Sequence, residues 1–133
     1  MKNIHASGKR KSAIARATLK VGNGIVRVNN VPIESFYPRM SRLKLQEPLI
    51  LAGDVSGKVN IDVEVTGGGI SSQAEASRIA IAKALVEHSK NDKLKEIFLS
   101  YDRNLIVADI RHKEPSKPNR HGQARAKVQK SYR

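Results

Sequence analysis

Between Lys58 and Val65 the residues alternate without a lapse. Val59, Ile61, Val63 and Val65 are apolar, while Asn60, Asp62 and Glu64 are polar. That period belongs to a strand with one face on a core and the other toward solvent or a partner. Gly67, Gly68 and Gly69 follow, and then a run to about Ser89 in which Ile81, Ala84, Leu85 and His88 recur at helical spacing. Ile79, Ala82 and Val86 widen the stripe, which predicts a helix lying centrally on the sheet. Ser72 and Glu75 fit a capping box at its start, where hydroxyl and carboxylate satisfy free backbone N–H groups.

The neighbouring segments extend this α+β reading. Ala13–Val21 predicts a first strand with Ile14, Arg16, Thr18 and Lys20 on one face and Ala15, Ala17, Leu19 and Val21 on the other. Gly22, Asn23 and Gly24 tolerate positive φ, so Ile25–Val28 is expected to return beside it as a hairpin. A turn over Asn29–Ile33 and a short amphipathic piece at Glu34–Tyr37 come next. Ser41–Ala52 is apolar at mixed spacing, and Pro48 is expected to break or kink it. Asn91 or Asp92 opens another helix carrying Leu94, Ile97, Phe98 and Tyr101, and Leu105–Ile110 is a last strand candidate. The division expected is one compact domain over 1–110, with a basic N-terminal segment 1–12, and a tail over 111–133.

After Arg111 the periodicity stops. The last eighteen residues, SKPNRHGQARAKVQKSYR, offer only Val128 and Tyr132 as core anchors and contain no acid. So little apolar surface does not offset the entropy of ordering the backbone. Over the whole chain 39% of residues are hydrophobic and 4% aromatic, which likewise places part of it outside any core. The formal net charge is +13, and it is segregated. Residues 1–20 hold Lys2, Lys9, Arg10, Lys11, Arg16 and Lys20 with no acid, and the tail holds eight Lys/Arg against Glu114 alone. The stretch between them is neutral. Generic solubility calls for mixed charge, whereas a polyanionic partner rewards such ends by counterion release.

Catalytic chemistry finds little to stand on. The chain has no cysteine, which excludes disulfides and thiolate metal sites and suits a reducing compartment. His5, His88, His112 and His121 lack ligand-like spacing, so neither metal nor other cofactor is expected. The triple glycine before a helix resembles a phosphate cradle but lacks the GK[ST] ending of a nucleotide loop. It reads as a tight turn whose exposed amides also touch an RNA phosphate. No apolar run approaches the roughly 18 residues of a membrane span, and the N-terminus has no signal-peptide core, so a soluble protein without a membrane partner is expected. GKRKSAIARA is the stronger signal: Lys9, Arg10 and Lys11 follow Gly8, read as flexible, and Arg16 extends the cluster along the strand. Such clusters hold a phosphate backbone without reading sequence. A free chromatin-like protein and an enzyme stand as rivals. The first lacks an evident recognition helix and the second a nucleotide loop with a general base.

GKRKSAIARA, the Gly22–Val28 segment with NNVPIESFY, TGGGISSQAEASRIAIAKAL, YDRNLIVADIR and the ending QKSYR together resemble the small-subunit ribosomal protein nine family, in order and spacing. The short N-terminus, LIVADIRHKEP and the ending Lys130-Ser131-Tyr132-Arg133 look archaeal-type. The resemblance implies a single α+β domain with a mainly antiparallel sheet packed by helices and a left-handed β-α-β crossover, like the second domain of ribosomal protein five, followed by a long extended basic tail. It implies a structural, non-catalytic role in the head of the cytoplasmic small ribosomal subunit, among neighbouring small-subunit proteins. Small-subunit rRNA is expected at Lys9, Arg10, Lys11, Ser12 and Arg16, at Gly67, Gly68, Gly69, Ser71 and Ser72, and along Arg111, Lys113, Lys117, Arg120, Arg125 and Lys127. The anticodon stem-loop of the peptidyl-site tRNA is expected at Lys130, Ser131, Tyr132 and Arg133. Tyr132 stands where bacterial members carry lysine, so a stacked or hydrogen-bonded ring there replaces one phosphate contact. From 111 to 133 an extended chain reaches on the order of 70–80 Å, which suits a thread between RNA helices that orders on binding.

Overall fold

The computed structural model describes residues 2–125. Five strands, β1 (Ile4–Arg10), β2 (Ala13–Val21), β3 (Val26–Val28), β4 (Val31–Pro32) and β5 (Val59–Thr66), form one sheet in the order β1-β2-β5-β3-β4. Three of its four pairings are antiparallel, and β3 with β5 is parallel. Helix α1 (Arg39–Ala52) lies in the connection from β3 and β4 to β5, which makes a β-α-β unit. Helix α2 (Ile70–Ser89) packs on β1, β2 and β5, and α3 (Asp92–Tyr101) contacts both other helices. The α+β expectation with a mainly antiparallel sheet stands.

The core forms where the alternation said it would. Ala13, Ala15, Ala17 and Leu19 of β2 share the inner face with Val59, Ile61, Val63 and Val65 of β5, all buried. Ala76, Ala80 and Ala84 bring α2 down onto them, while Ile81, Leu85 and Phe98 fill the space between the helices and the sheet. Each large side chain buried in this way contributes about 1.5–3 kcal/mol. Arg78 on α2 reaches Glu47 of α1 at 2.5 Å and Asp102, just beyond α3, at 3.0 Å, and so pins the three helices.

Several local expectations are corrected. A strand missed in the sequence, Ile4–Arg10, pairs with β2 through a two-residue turn at Lys11-Ser12, so the true hairpin lies N-terminal to the expected one. β2 and β3 do not pair, because β5 runs between them. Gly8 is not a flexible joint. It is buried, and a Cβ built there stands 2.3 Å from the Ala76 carbonyl oxygen and 2.8 Å from the Ala80 nitrogen. Only glycine lets β1 approach α2 so closely.

Pro48 neither breaks nor divides its helix: α1 is continuous from Arg39 to Ala52. Leu45, Pro48 and Ala52, on one face, are buried, and that packing outweighs the missing N–H. Leu105–Ile110 is not a strand. Leu105 closes a short 3-10 turn, the Val107 N–H bonds back to the Arg103 carbonyl, and Val107 and Ile110 are exposed. Beyond it no helix or strand occurs among the described residues; the chain turns at 118–122, and Arg125 pairs with Glu114.

Candidate nucleic-acid interface

Three consecutive cations of the sequence leave in three directions. In β1 the outward residues are His5, Ser7 and Lys9, and the inward ones are Ile4, Ala6, Gly8 and Arg10. Lys9 therefore stands on the open face of the sheet, and Arg10 turns inward. Lys11 begins the turn to β2 with a φ of 52°, a conformation that side chains other than glycine rarely adopt, and it is carried to the sheet's end. Of the three, Arg10 alone has a side-chain partner among the described residues: its Nε donates to Glu75 Oε2 at 2.8 Å and its Nη1 to Asp109 Oδ2 at 2.7 Å.

Lys11 faces the start of α2. The turn over Gly67, Gly68 and Gly69 brings them together, with φ of 76° at Gly67 and 66° at Gly68. A Cβ on Gly67 would meet the Ser12 carbonyl oxygen at 2.5 Å, so this loop sits against the β1–β2 turn. The capping box is corrected here. The helix opens at Ile70 with Gly69 as its N-cap and no side-chain cap; Ser72 is buried in the first turn. Glu75 instead accepts from Arg10 and from Lys44 of α1 at 3.0 Å. Burial alone would raise its pKa, but the hydrogen bonds from Lys44 and Arg10 and their charges outweigh that and hold the carboxyl below its ordinary 4.5.

These elements border an open groove lined by Arg10, Lys11, Ser12, Gly68, Gly69, Ser72, Arg111, His112 and Lys113. The first turn of a 20-residue helix presents N–H groups without intrahelical partners and the positive end of the helix dipole. Lys11, Arg111 and Lys113 add three cations, none of which pairs with a described carboxylate. Amides, two serines and three cations converging on one groove make a site for phosphate oxygens.

The open face of the sheet is a second basic surface. Arg16 lies opposite Ser7 on one side and Glu64 on the other, and Lys20 and Lys9 share that face. Arg27 sits beside Asp62, so the cations of β1 and β2 are bounded by the two acids of β5. The sequence had assigned Lys9 and Arg16; Lys20, Arg27 and His112 were missed. Lys20 was legible, since it alternates in phase with Arg16, whereas Arg27 and His112 needed the strand order and the groove. Ser71 is exposed on the first turn of α2, Arg120 lies on the turn at 118–122, and Lys117 and Arg125 flank that turn. Lys127, Lys130, Ser131, Tyr132 and Arg133 lie outside the described residues.

The family model described as ribosomal protein S9/S16 matches residues 8–133. The chain belongs to that family. A relative named small ribosomal subunit protein uS9 from Methanococcus maripaludis (strain C7) is 51% identical over 134 residues, covering 100% of both chains. Proteins of the same name from Methanococcus vannielii and Methanothrix thermoacetophila are 49% and 50% identical, again over 100% of both chains. These relatives are archaeal, in line with the archaeal-type resemblance of the sequence. Among the described residues no cluster of three His, Asp or Glu is placed to hold a metal ion, and no helix is long and apolar enough to cross a membrane.

Proposed function

We propose that this protein is a structural constituent of the cytoplasmic small ribosomal subunit, without catalytic activity, and that it binds small-subunit rRNA through the groove at the start of α2 and through the basic half of the open sheet face. The observation that carries the reading is the meeting of Lys11, Arg111 and Lys113 with uncapped helix amides. Phosphates satisfy both at once. The family and the names of its relatives support the setting, in which other small-subunit proteins are neighbours. The C-terminal segment extends the contact: Lys117, Arg120, Arg125 and Lys127 follow rRNA, and Lys130 to Arg133 approach the anticodon stem-loop of the peptidyl-site tRNA.

The test combines co-sedimentation with small subunits and binding to a transcript of the complete small-subunit rRNA at several salt concentrations. Replacing Lys11, Arg111 and Lys113 by Ala is expected to weaken binding and to flatten the salt dependence by roughly one unit per lost phosphate contact. An unchanged slope with unchanged affinity would move the interface away from this groove.

A further inference from the structure

Arg10 belongs to the most basic run of the chain, yet it is the cation there least able to meet a phosphate. Its side chain is only 20% exposed, and its fork is divided between two carboxylates on different elements. One of them, Glu75, is held from its other oxygen by Lys44, so α1, α2 and β1 fix where the guanidinium points. The second, Asp109, lies in irregular backbone and uses both of its oxygens. Oδ2 accepts from Arg10, and Oδ1 accepts the Arg111 N–H at 2.8 Å. Among the described residues no backbone hydrogen bond joins 108–116 to the domain, and Arg10–Asp109 is the one side-chain tie across that stretch. Two residues after Asp109 the chain supplies Arg111 and then Lys113 to the groove.

We propose that Arg10 is a positioning residue: with Asp109 it forms a clasp that holds the root of the C-terminal segment so that Arg111 and Lys113 stay beside the first turn of α2. The proposal rests on the groove reading above. An ion pair placed here adds no charge to the interface, because Arg10 and Asp109 cancel. Its contribution is to order the tail root before RNA arrives, so that ordering is not charged against binding. Lysine does not copy Arg10 in this role, since Arg10 meets the two carboxylates with two different nitrogens of a rigid fork that lysine lacks.

This gives a test in which two explanations differ in sign. Asp109→Ala removes an anion beside a phosphate site and frees a cation, so electrostatics alone tightens RNA binding. The clasp instead makes Asp109→Ala weaker, by about three- to tenfold, the cost of ordering a loosened segment. In an Arg10→Gln background no clasp remains and only the Asp109–Arg111 N–H bond is left to lose, so adding Asp109→Ala is expected to cost less than it does in the wild-type chain; the cycle is non-additive. Binding is measured with the full chain on the complete small-subunit rRNA transcript. Amide exchange at Ile110–Lys113 in the free protein is followed in parallel and is expected to speed up in both single variants.

Asp109→Ala binding as tightly as wild type, or tighter, with the same amide exchange overturns the clasp. The separate variant Lys11→Ala, Arg111→Ala, Lys113→Ala tells that failure from a failure of the groove reading. If it too binds like wild type, the RNA reading has failed, and the clasp is judged on amide exchange alone. Asp109 lies outside every helix and strand, and equal unfolding midpoints for wild type and variant are the check that its replacement leaves the fold intact.

Discussion

Gly8 faces Ala76 across the seam between β1 and α2, and the gap has no room for a Cβ. A Cβ on Gly8 would stand 2.3 Å from the Ala76 carbonyl oxygen, and both near neighbours belong to helix backbone that has no room to retreat. Gly8→Ala therefore has to push β1 off α2, and with it the turn that carries Lys11. Overpacking of this kind costs about 1–3 kcal/mol. Denaturant unfolding should show a loss in that range, and a midpoint equal to wild type would mean that the seam is looser than the structure has it.

Glu75 makes the acid side of the stability curve predictable. Its pKa is depressed in the folded protein, so the stability it contributes is present above 4.5 and is lost as pH falls through the lower folded value. Glu75→Gln removes that dependence. Its unfolding midpoint should fall below wild type at neutral pH and converge with it under acid. Two parallel curves from neutral to acid pH would exclude a paired carboxylate here.

Asn29 holds the edge of β5 with its side chain. Oδ1 accepts the Val65 N–H at 3.0 Å and Nδ2 donates to the Val65 carbonyl at 3.2 Å, while its φ is 49°. Asn29→Ala is expected to cost about 1–3 kcal/mol through the two unpaired groups of Val65. Asn29→Gly relieves the backbone conformation without restoring the bonds. If glycine recovers most of the loss in thermal unfolding, the conformation and not the bridge was decisive.

The C-terminal arginine is predicted to matter for tRNA and not for assembly. A guanidinium donates two parallel hydrogen bonds to one phosphate, which lysine does not copy. Deleting Arg133 should leave incorporation into small subunits nearly unchanged and weaken peptidyl-site tRNA by about 1–2 kcal/mol. Dissociation of tRNA from subunits carrying intact or truncated protein, at matched salt, checks this. Equal rates with normal incorporation would confine the tail to rRNA.

What the sequence determined by itself was whatever depends on period and charge. Val59–Val65 and Ala13–Leu19 each repeat every second residue, and the α2 stripe repeats at helical spacing, because burial of one face leaves that trace in the chain. The segregated cations were equally plain, since charge needs no neighbour to be read. Tertiary structure decided the rest. β1 escaped notice because its inner face carries Gly8 and Arg10. The glycine is there for a helix backbone and the arginine for carboxylates 65 and 99 residues away, and neither looks like a strand core. Ser72 and Glu75 kept the spacing of a capping box, but Lys44 and Arg10 offered the carboxylate two charged partners, and it turned to them. Leu105–Ile110 had strand composition and found no strand to pair with. Lys9, Arg10 and Lys11 were one cluster in sequence and became an open-face cation, a half-buried partner of Glu75 and Asp109, and a groove cation. Strand alternation sends adjacent residues to opposite faces, and only the packed elements determine what waits on each.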